Sequence, residues 1–475
     1  MNSILKILLI CSLITLLIPG GARADDMAED DFIRVSCGGS HTLALRQNGD
    51  LWAWGLNDYG QVGNGGENDI LYNDFKQPCQ SKPVMVLDKV VDIAAGGWHS
   101  LAIREDGSLW GWGMNYLARI GSDIEELVKK PVKIMDDVQA IAAGTHFSLI
   151  LKTDGTLWGS GNNDLCQLGH AIQYNDTDAE NDEYIPIEPS LIMEQVIAIA
   201  AGDSHALAIR EDGSLWAWGW NAFGQVGNGQ INDANNSCQS TPVQIFESGV
   251  KCVSAGYHHS LAIMEDGALW GWGSNAGQSL LESEEEISAA PPASAASMII
   301  KPQKLMDGVK MVVAGVKRTF VIKEDGSLWG WGDNAFQALN FNYRNDHVSA
   351  VPHKIMDDVV DVNSGDMHTM AVKEDGTLWG WGNNSCSQLA QPPGSLSLPV
   401  RVQVEYPAPI PEQEEEPVAE VEKPATEPAT EKEEVQRGNP LPFIIGCAVI
   451  VAGGIAGLLI WRHKKRKGQI SAWRE

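Results

Sequence analysis

From residue 32 to residue 402 the apolar positions fall in short, largely alternating runs, cut at regular intervals by an Asn-Gly or Asp-Gly dipeptide. The stretch REDGSLWGWG at 104–113 returns as REDGSLWAWG at 210–219, with MEDGALWGWG, KEDGSLWGWG and KEDGTLWGWG as close variants. The turn dipeptides are Asn48-Gly49, Asp106-Gly107, Asp154-Gly155, Asp212-Gly213, Asp266-Gly267, Asp325-Gly326 and Asp375-Gly376, spaced 48 to 59 residues apart. Leu-Trp follows each of them two residues on. Asp-Gly between two apolar runs predicts an antiparallel hairpin through a type I′ turn, which needs positive φ at both central residues. In the second copy residues 99–105 and 108–113 therefore pair, while 90–96 before them and 132–135 after them supply two further strands. Seven copies of four strands follow.

The Trp-x-Trp element explains its own recurrence. Trp110 and Trp112 share one strand face and Gly111 lies on the other, because side chains alternate with a period of two. The Trp216/Trp218 pair repeats the arrangement around Ala217. Indole rings supply large buried area, and Gly or Ala opposite them lets a neighbouring backbone come close. Thirteen of the seventeen Trp belong to this element, twelve in six complete pairs and Trp158 alone where Ser160 breaks the pair of the third copy, so these rings are expected in the core. Sheets pressed on both faces, seven times over, predict an all-β, seven-bladed propeller of four-stranded blades. Ring closure is expected through a sheet shared by residues 399–402 and 32–35, which would leave no open edge.

A second marker, Gly-x-x-His, precedes each turn in SCGGSHTLAL, AAGGWHSLAI, AAGDSHALAI, SAGYHHSLAI and NSGDMHTMAV, with Phe147 and Arg318 in place of His in the third and sixth copies. The assembled pattern AAGxxHSLAIREDGSLWGWGxNxxGQxG resembles the repeat of the regulator of chromosome condensation family over about 370 of 475 residues. The resemblance implies a seven-bladed β-propeller and a structural role for the repeated His. The best-known activity in that family is nucleotide exchange on the nuclear GTPase Ran, and other members inhibit secreted enzymes such as β-lactamase.

The ends of the chain narrow these options. Residues 1–24 combine an early Lys, an apolar run and Ala22-Arg23-Ala24, the features of a cleaved secretory signal. Residues 443–460, FIIGCAVIVAGGIAGLLI, are long enough to span a bilayer, and Arg462 to Lys467 behind them are basic. The expected organisation is a propeller over 25–404, a Pro/Glu-rich disordered stalk over 405–439, a single transmembrane helix over 440–461 and a cytoplasmic tail over 462–475. Gly453 and Gly457 could form a seam between two such helices. The propeller is then extracellular on a single-pass plasma-membrane protein, and out of reach of a cytosolic GTPase. The net charge of −28 argues against a nucleic-acid partner.

Candidate chemistry is sparse. His41, His99, His205, His259 and His368 occupy equivalent places on separate blades, which suits a polar contact repeated blade by blade better than ligands converging on one metal. No nucleophile elbow, P-loop or metalloprotease motif occurs, so no catalytic residue, metal or cofactor is expected, and the protein is read as a non-enzyme. Cys386 with Cys37, and Cys238 with Cys252, are candidate disulfides, with unpaired core cysteines as the rival. The longest inserts, 164–186 and 275–300, hold ten Asp or Glu and no Lys or Arg. They lie between the third and fourth strands of their copies, on one face. Asp176, Asp178, Glu180, Asp182, Glu183, Glu284, Glu285 and Glu286 are the candidate binding residues of that face. The functional expectation is a cell-surface protein-binding or adhesion module acting through these loops. An inhibitor of a secreted enzyme, or a hydrolase on envelope polymers, is the alternative.

Overall fold

In the computed structural model the structure describes residues 28 and 30–403, apart from 73–76, 117, 122–123, 172–188, 233–237, 281–297 and 340–347. The expected signal, stalk, membrane helix and tail lie outside these residues. Among the described residues no helix is long and apolar enough to cross a membrane. They form seven antiparallel sheets, each of four consecutive strands, the first sheet gaining an extra short strand, Ile70–Tyr72.

The second blade shows the plan: Val90–Ala95, His99–Arg104, Leu109–Met114 and Leu127–Met135. The hairpin between its middle strands differs from expectation. Only Gly107 has positive φ (+76°), and hydrogen bonds from Gly107 N to Arg104 O and from Arg104 N to Ser108 O close a three-residue loop. One left-handed glycine after an ordinary turn satisfies that loop, so the aspartate needs no positive φ. Instead Asp106 Oδ1 accepts the Ser108 N–H at 2.9 Å.

The Trp pair divides its labour. The second ring is fully buried in six blades (Trp54, Trp112, Trp218, Trp272, Trp331 and Trp381), whereas Trp110 and Trp216 are half-buried. The N–H of Trp110 bonds Ser108 Oγ and that of Trp216 bonds Ser214 Oγ, while Arg104 and Arg210 lie over their faces at 5.2 and 5.9 Å. Each buried ring sits in an apolar cluster built from two adjacent blades, as Trp272 does with Leu207, Ile209, Leu215 and Val250. The core is therefore a set of inter-blade layers. At roughly 25 cal/mol per Å² of apolar area removed from water, such layers are the main source of stability.

Ring closure departs from the expected shared sheet. Gly394–Arg401 pairs with Leu378–Asn384 inside the seventh blade, and Phe32–Cys37 pairs with His41–Arg46 inside the first. The chain enters on the first, axial strand of one blade and leaves on the fourth, outer strand of another, so its two ends cannot share a ladder. The seam is closed by side chains and loops: Val35 N–H to Asp361 Oδ2 (2.8 Å), Cys37 N–H to Asn363 Oδ1 (2.9 Å) and Trp54 Nε1–H to Gln388 O (2.9 Å).

Neither candidate disulfide forms. Cys166 is bonded to Cys238, while Cys37, Cys79, Cys252 and Cys386 are free thiols. Cys252 lies on the first strand of the fifth blade, whereas Cys238 begins the fourth strand of the fourth blade, at the end nearest the Cys166 loop. Cys37 Sγ instead donates to Asn363 O.

Candidate functional site

The repeated histidines are fasteners between blades. His41 Nε2 meets Ser100 Oγ at 2.9 Å, His99 meets Ser148 at 2.9 Å, and His205 meets Ser260 at 2.8 Å. His259 meets Thr319 at 3.4 Å, and His368 closes the ring on Thr42 at 2.9 Å. Each hydroxyl spends its own proton on a loop carbonyl of the preceding blade, as Ser100 Oγ does on Gln61 O at 2.8 Å. The imidazole Nε2–H must therefore be the donor to it. Trp112 Nε1–H donates to the same Gln61 carbonyl at 2.9 Å, so one acceptor collects two contacts from the next blade. Burial pushes His41, His205, His259 and His368 down to about 3 and His99 well below its ordinary value, which keeps all five neutral. The Gly-x-x-His spacing follows from packing, since a Cβ on Gly38 or Gly96 would collide with the His41 or His99 ring.

The two departures obey the same logic. Phe147 has no proton to give, and the next blade offers the methyl of Ala206 where the others offer a hydroxyl; both side chains pack in one cluster. Arg318 donates through Nη2 to Asp366 O, and Thr369 keeps its bond to Ala338 O at 3.0 Å. Among the described residues no group of three or more potential ligands could hold a metal ion.

The acidic residues proposed from sequence, Asp176, Asp178, Glu180, Asp182, Glu183, Glu284, Glu285 and Glu286, lie outside the described residues. The end of the disc they were assigned to is well described by its other loops. Two sets of connections converge there: the Gly-x-x-His tips between first and second strands, and the loops between third and fourth strands. Every one of the latter is pinned by an asparagine accepting the N–H five residues on, from Asn57 with Val62 (3.0 Å) to Asn384 with Leu389 (2.8 Å).

At this end, where the first three blades meet, lies a cleft of about 430 Å³ walled by Tyr59, Trp98, Tyr116, Arg119, His146 and Asp164, among others. The Trp98 and His146 rings are 5.0 Å apart, and the Arg119 guanidinium lies 5.6 Å from the Trp98 ring. Arg119 Nη2 donates to His146 Nδ1 at 2.8 Å, which makes His146 a neutral acceptor. Burial, then the Arg119 charge, lowers the His146 pKa, and burial brings Arg119 down to about 10. Arg119 is 2% exposed, and its Nε and Nη1 meet no acceptor among the described residues. Across the same end Phe223 stacks on His258 at 4.6 Å, with Trp220 at 4.8 Å and Tyr257 at 4.3 Å from the His258 ring.

Sequence reasoning passed over Arg119, although a signal was present. The Gln of the GQxG motif stands at Gln61, Gln167, Gln225 and Gln388, where its Oε1 accepts a loop N–H two residues earlier, as from Tyr59 at 2.9 Å. Arg119 occupies the corresponding place in the second blade, and a guanidinium has no acceptor to offer. The third blade across the cleft also lacks its second Trp, where Ser160 bonds Ala118 O.

Comparison with known proteins agrees with this architecture. The RCC1-like domain model matches residues 18–298, and the regulator of chromosome condensation (RCC1) repeat matches 325–372 and 359–388. Similar proteins include the ultraviolet-B receptor UVR8 of Arabidopsis thaliana, 30% identical over 246 residues that cover 50% of this chain and 52% of the receptor. The E3 ubiquitin-protein ligase HERC2 of Mus musculus is 32% identical over 313 residues, 64% of this chain but 5% of the ligase. The chain thus spans about half of one relative and a small part of the other. Among solved structures human WBSCR16 aligns with a TM-score of 0.62 at 22% identity, covering 75% of this chain and 95% of that one. Prp20p of Saccharomyces cerevisiae aligns at 0.60 and 24%, covering 73% and 84%. These structural likenesses speak for the fold alone.

Proposed function

Because this chain belongs to the regulator of chromosome condensation (RCC1) repeat family, whose propellers are protein-interaction modules, we propose that it is a non-catalytic module that holds a protein partner against the loop-tip end of the disc. The observation that carries this is the set of aromatic side chains held open there, Tyr116 (48% exposed) and Phe336 (47%) on asparagine-pinned loops and Tyr257 (37%) on a Gly-x-x-His tip. Aromatic anchors on rigid loops are what protein interfaces use as hot spots, because little entropy is lost when they are covered. In this reading the signal, stalk and apolar segment read from the sequence hold the module outside the plasma membrane, with residues 462–475 inside.

Photo-crosslinking in the intact, full-length protein tests the binding face. A photo-reactive phenylalanine analogue placed at Tyr116, Tyr257 or Phe336 should give a discrete protein adduct. The same group at the outer-strand residues Leu191 or Val351, 47% and 56% exposed, should not. Equal adducts from both sets, or none from the tips, would remove the proposal. For the topology, external protease on intact cells should release a fragment carrying the propeller, and a fully protected propeller would contradict it.

A further inference from the structure

We propose that the cleft between the first three blades is a binding site for a carboxylate carried on an apolar or aromatic stem, such as a peptide presents through an acidic side chain or its C terminus. The inference rests on the protein-binding reading above and names the chemistry at one point of that face. A buried guanidinium costs free energy unless an anion faces it. The other two buried arginines among the described residues are both acted on by carboxylates, Arg46 by Asp30, Asp50 and Asp31 and Arg318 by Asp333 and Asp366. Arg119 is acted on by the Tyr116 and Tyr59 hydroxyls, and among the described residues its hydrogen bond goes to a neutral imidazole. A carboxylate is a better acceptor than that imidazole, since charge-assisted hydrogen bonds are roughly twice as strong as neutral ones. Trp98, Tyr59 and Tyr116 offer apolar walls for the stem. Asp164, the carboxylate among the lining residues, favours a monoanion over a dianionic phosphate by repulsion.

Calorimetric titration of the intact protein with 3-phenylpropanoate, 3-phenylpropanamide and phenyl phosphate tests the site. The carboxylate should bind at least about tenfold tighter than either neutral amide or phosphate. Arg119→Gln, which installs the residue used by four other blades, should cost at least about tenfold in carboxylate affinity while leaving the melting temperature within a few degrees. Arg119→Lys should recover part of it. Peptides ending in Phe with a free carboxylate, against amidated peptides carrying an internal Glu, then separate the two sources. Equal binding of acid and amide, tighter binding of the phosphate, or indifference to Arg119→Gln would overturn the site. Tip crosslinks from Tyr257 in the same variant report separately on the protein-binding reading.

A second observation stands apart from this one. Cys79 and Cys386 pack together with Leu56 in one buried cluster at the seam of the first and seventh blades. The existing Cys166–Cys238 bond ties the third-blade loop to the fourth strand of the fourth blade. Cys386 lies in the corresponding loop of the seventh blade, and Cys79 on the fourth strand of the first, opposite Leu56 as Cys238 is opposite Trp220. We infer that Cys79 and Cys386 form a second inter-blade disulfide, locking the ring where its first and seventh blades meet. The bond forms by exchange with a protein or small-molecule disulfide as the ring closes, before the sulfurs are buried. One thiolate attacks the donor and releases a donor thiolate; the second displaces the other. Two electrons and two protons leave the cysteines, and the donor is reduced to two thiols.

Non-reducing peptide mapping of protein alkylated on isolation from its host should find Cys79 linked to Cys386, and Cys386→Ser should lower the melting temperature by about 5 °C. Both thiols alkylated while Cys166–Cys238 is oxidised would overturn the inference. So would a linked pair whose loss leaves the melting temperature unchanged.

Discussion

Two kinds of junction hold this ring together, and they differ by a few atoms. Where the fourth blade meets the fifth, the imidazole of His205 donates to Ser260 Oγ, whose proton goes to Gln225 O at 2.7 Å. Where the third meets the fourth, Phe147 and Ala206 occupy the same two places with no polar atom between them. Both junctions are closed, which shows that the sites must be matched across the gap while their polarity is free to change. An imidazole without its hydroxyl would leave a buried donor unsatisfied, and a hydroxyl without its imidazole keeps its bond to the loop carbonyl. The two single changes are therefore unequal.

Acid should separate the two kinds of junction most strongly. The buried histidines sit at about 3 in the folded state and near 6.5 when unfolded. The unfolded chain therefore binds more protons between those values. Stability is complete above pH 6.5 and falls as pH drops toward 3, by about 1.4 kcal/mol per pH unit for each imidazole that protonates on unfolding. Asp361, raised by burial to about 6, acts in the opposite direction between 3.8 and 6, joined by Asp58, Asp92 and Asp366, while His146 and His258, lowered chiefly by burial, add to the histidine side. Urea melts at pH 7, 6, 5 and 4 should show this fall. The pair His205→Phe with Ser260→Ala, which copies the third-to-fourth junction, should reduce the slope by one proton's worth. An unchanged slope would mean that this histidine is not neutral and buried.

Next in size is the loss of an indole. Trp272→Ala removes a ring that is wholly enclosed by two blades and should cost about 3–5 kcal/mol in urea denaturation. Trp216→Ala, a half-buried ring bonded locally to Ser214, should cost less than half as much. The smallest effect concerns Phe147→His, which presents a donor to a methyl and should cost about 1–3 kcal/mol. Adding Ala206→Ser should return about 1 kcal/mol, and a double-mutant cycle showing no coupling would refute the matched-pair account.

Much of the blade was legible in the sequence because its determinants are local. An Asp-Gly or Asn-Gly dipeptide between apolar runs announces a hairpin, and Trp-x-Trp on a strand announces a ring facing the next sheet. Even so, the exact turn escaped, since one positive-φ glycine serves a three-residue loop as well as two serve a type I′ turn. The cysteine pairs escaped for a different reason: Cys166 and Cys238 are 72 residues apart, and only the stacking of blades brings that loop to that strand. Arg119 was visible as an exception to GQxG, but the cleft its guanidinium lines depends on which three loops surround it.

Read alone, the sequence determined the number of units, the strands within each and the structural use of the repeated His and Trp, since each depends on residues a few positions apart. The tertiary structure decided the hydroxyl each imidazole reaches, the way the ring closes without a shared sheet, the thiols that meet and the cleft that encloses a guanidinium. Those are contacts between blades, set by how seven similar sheets lean on one another around an axis, and no short stretch of chain encodes them.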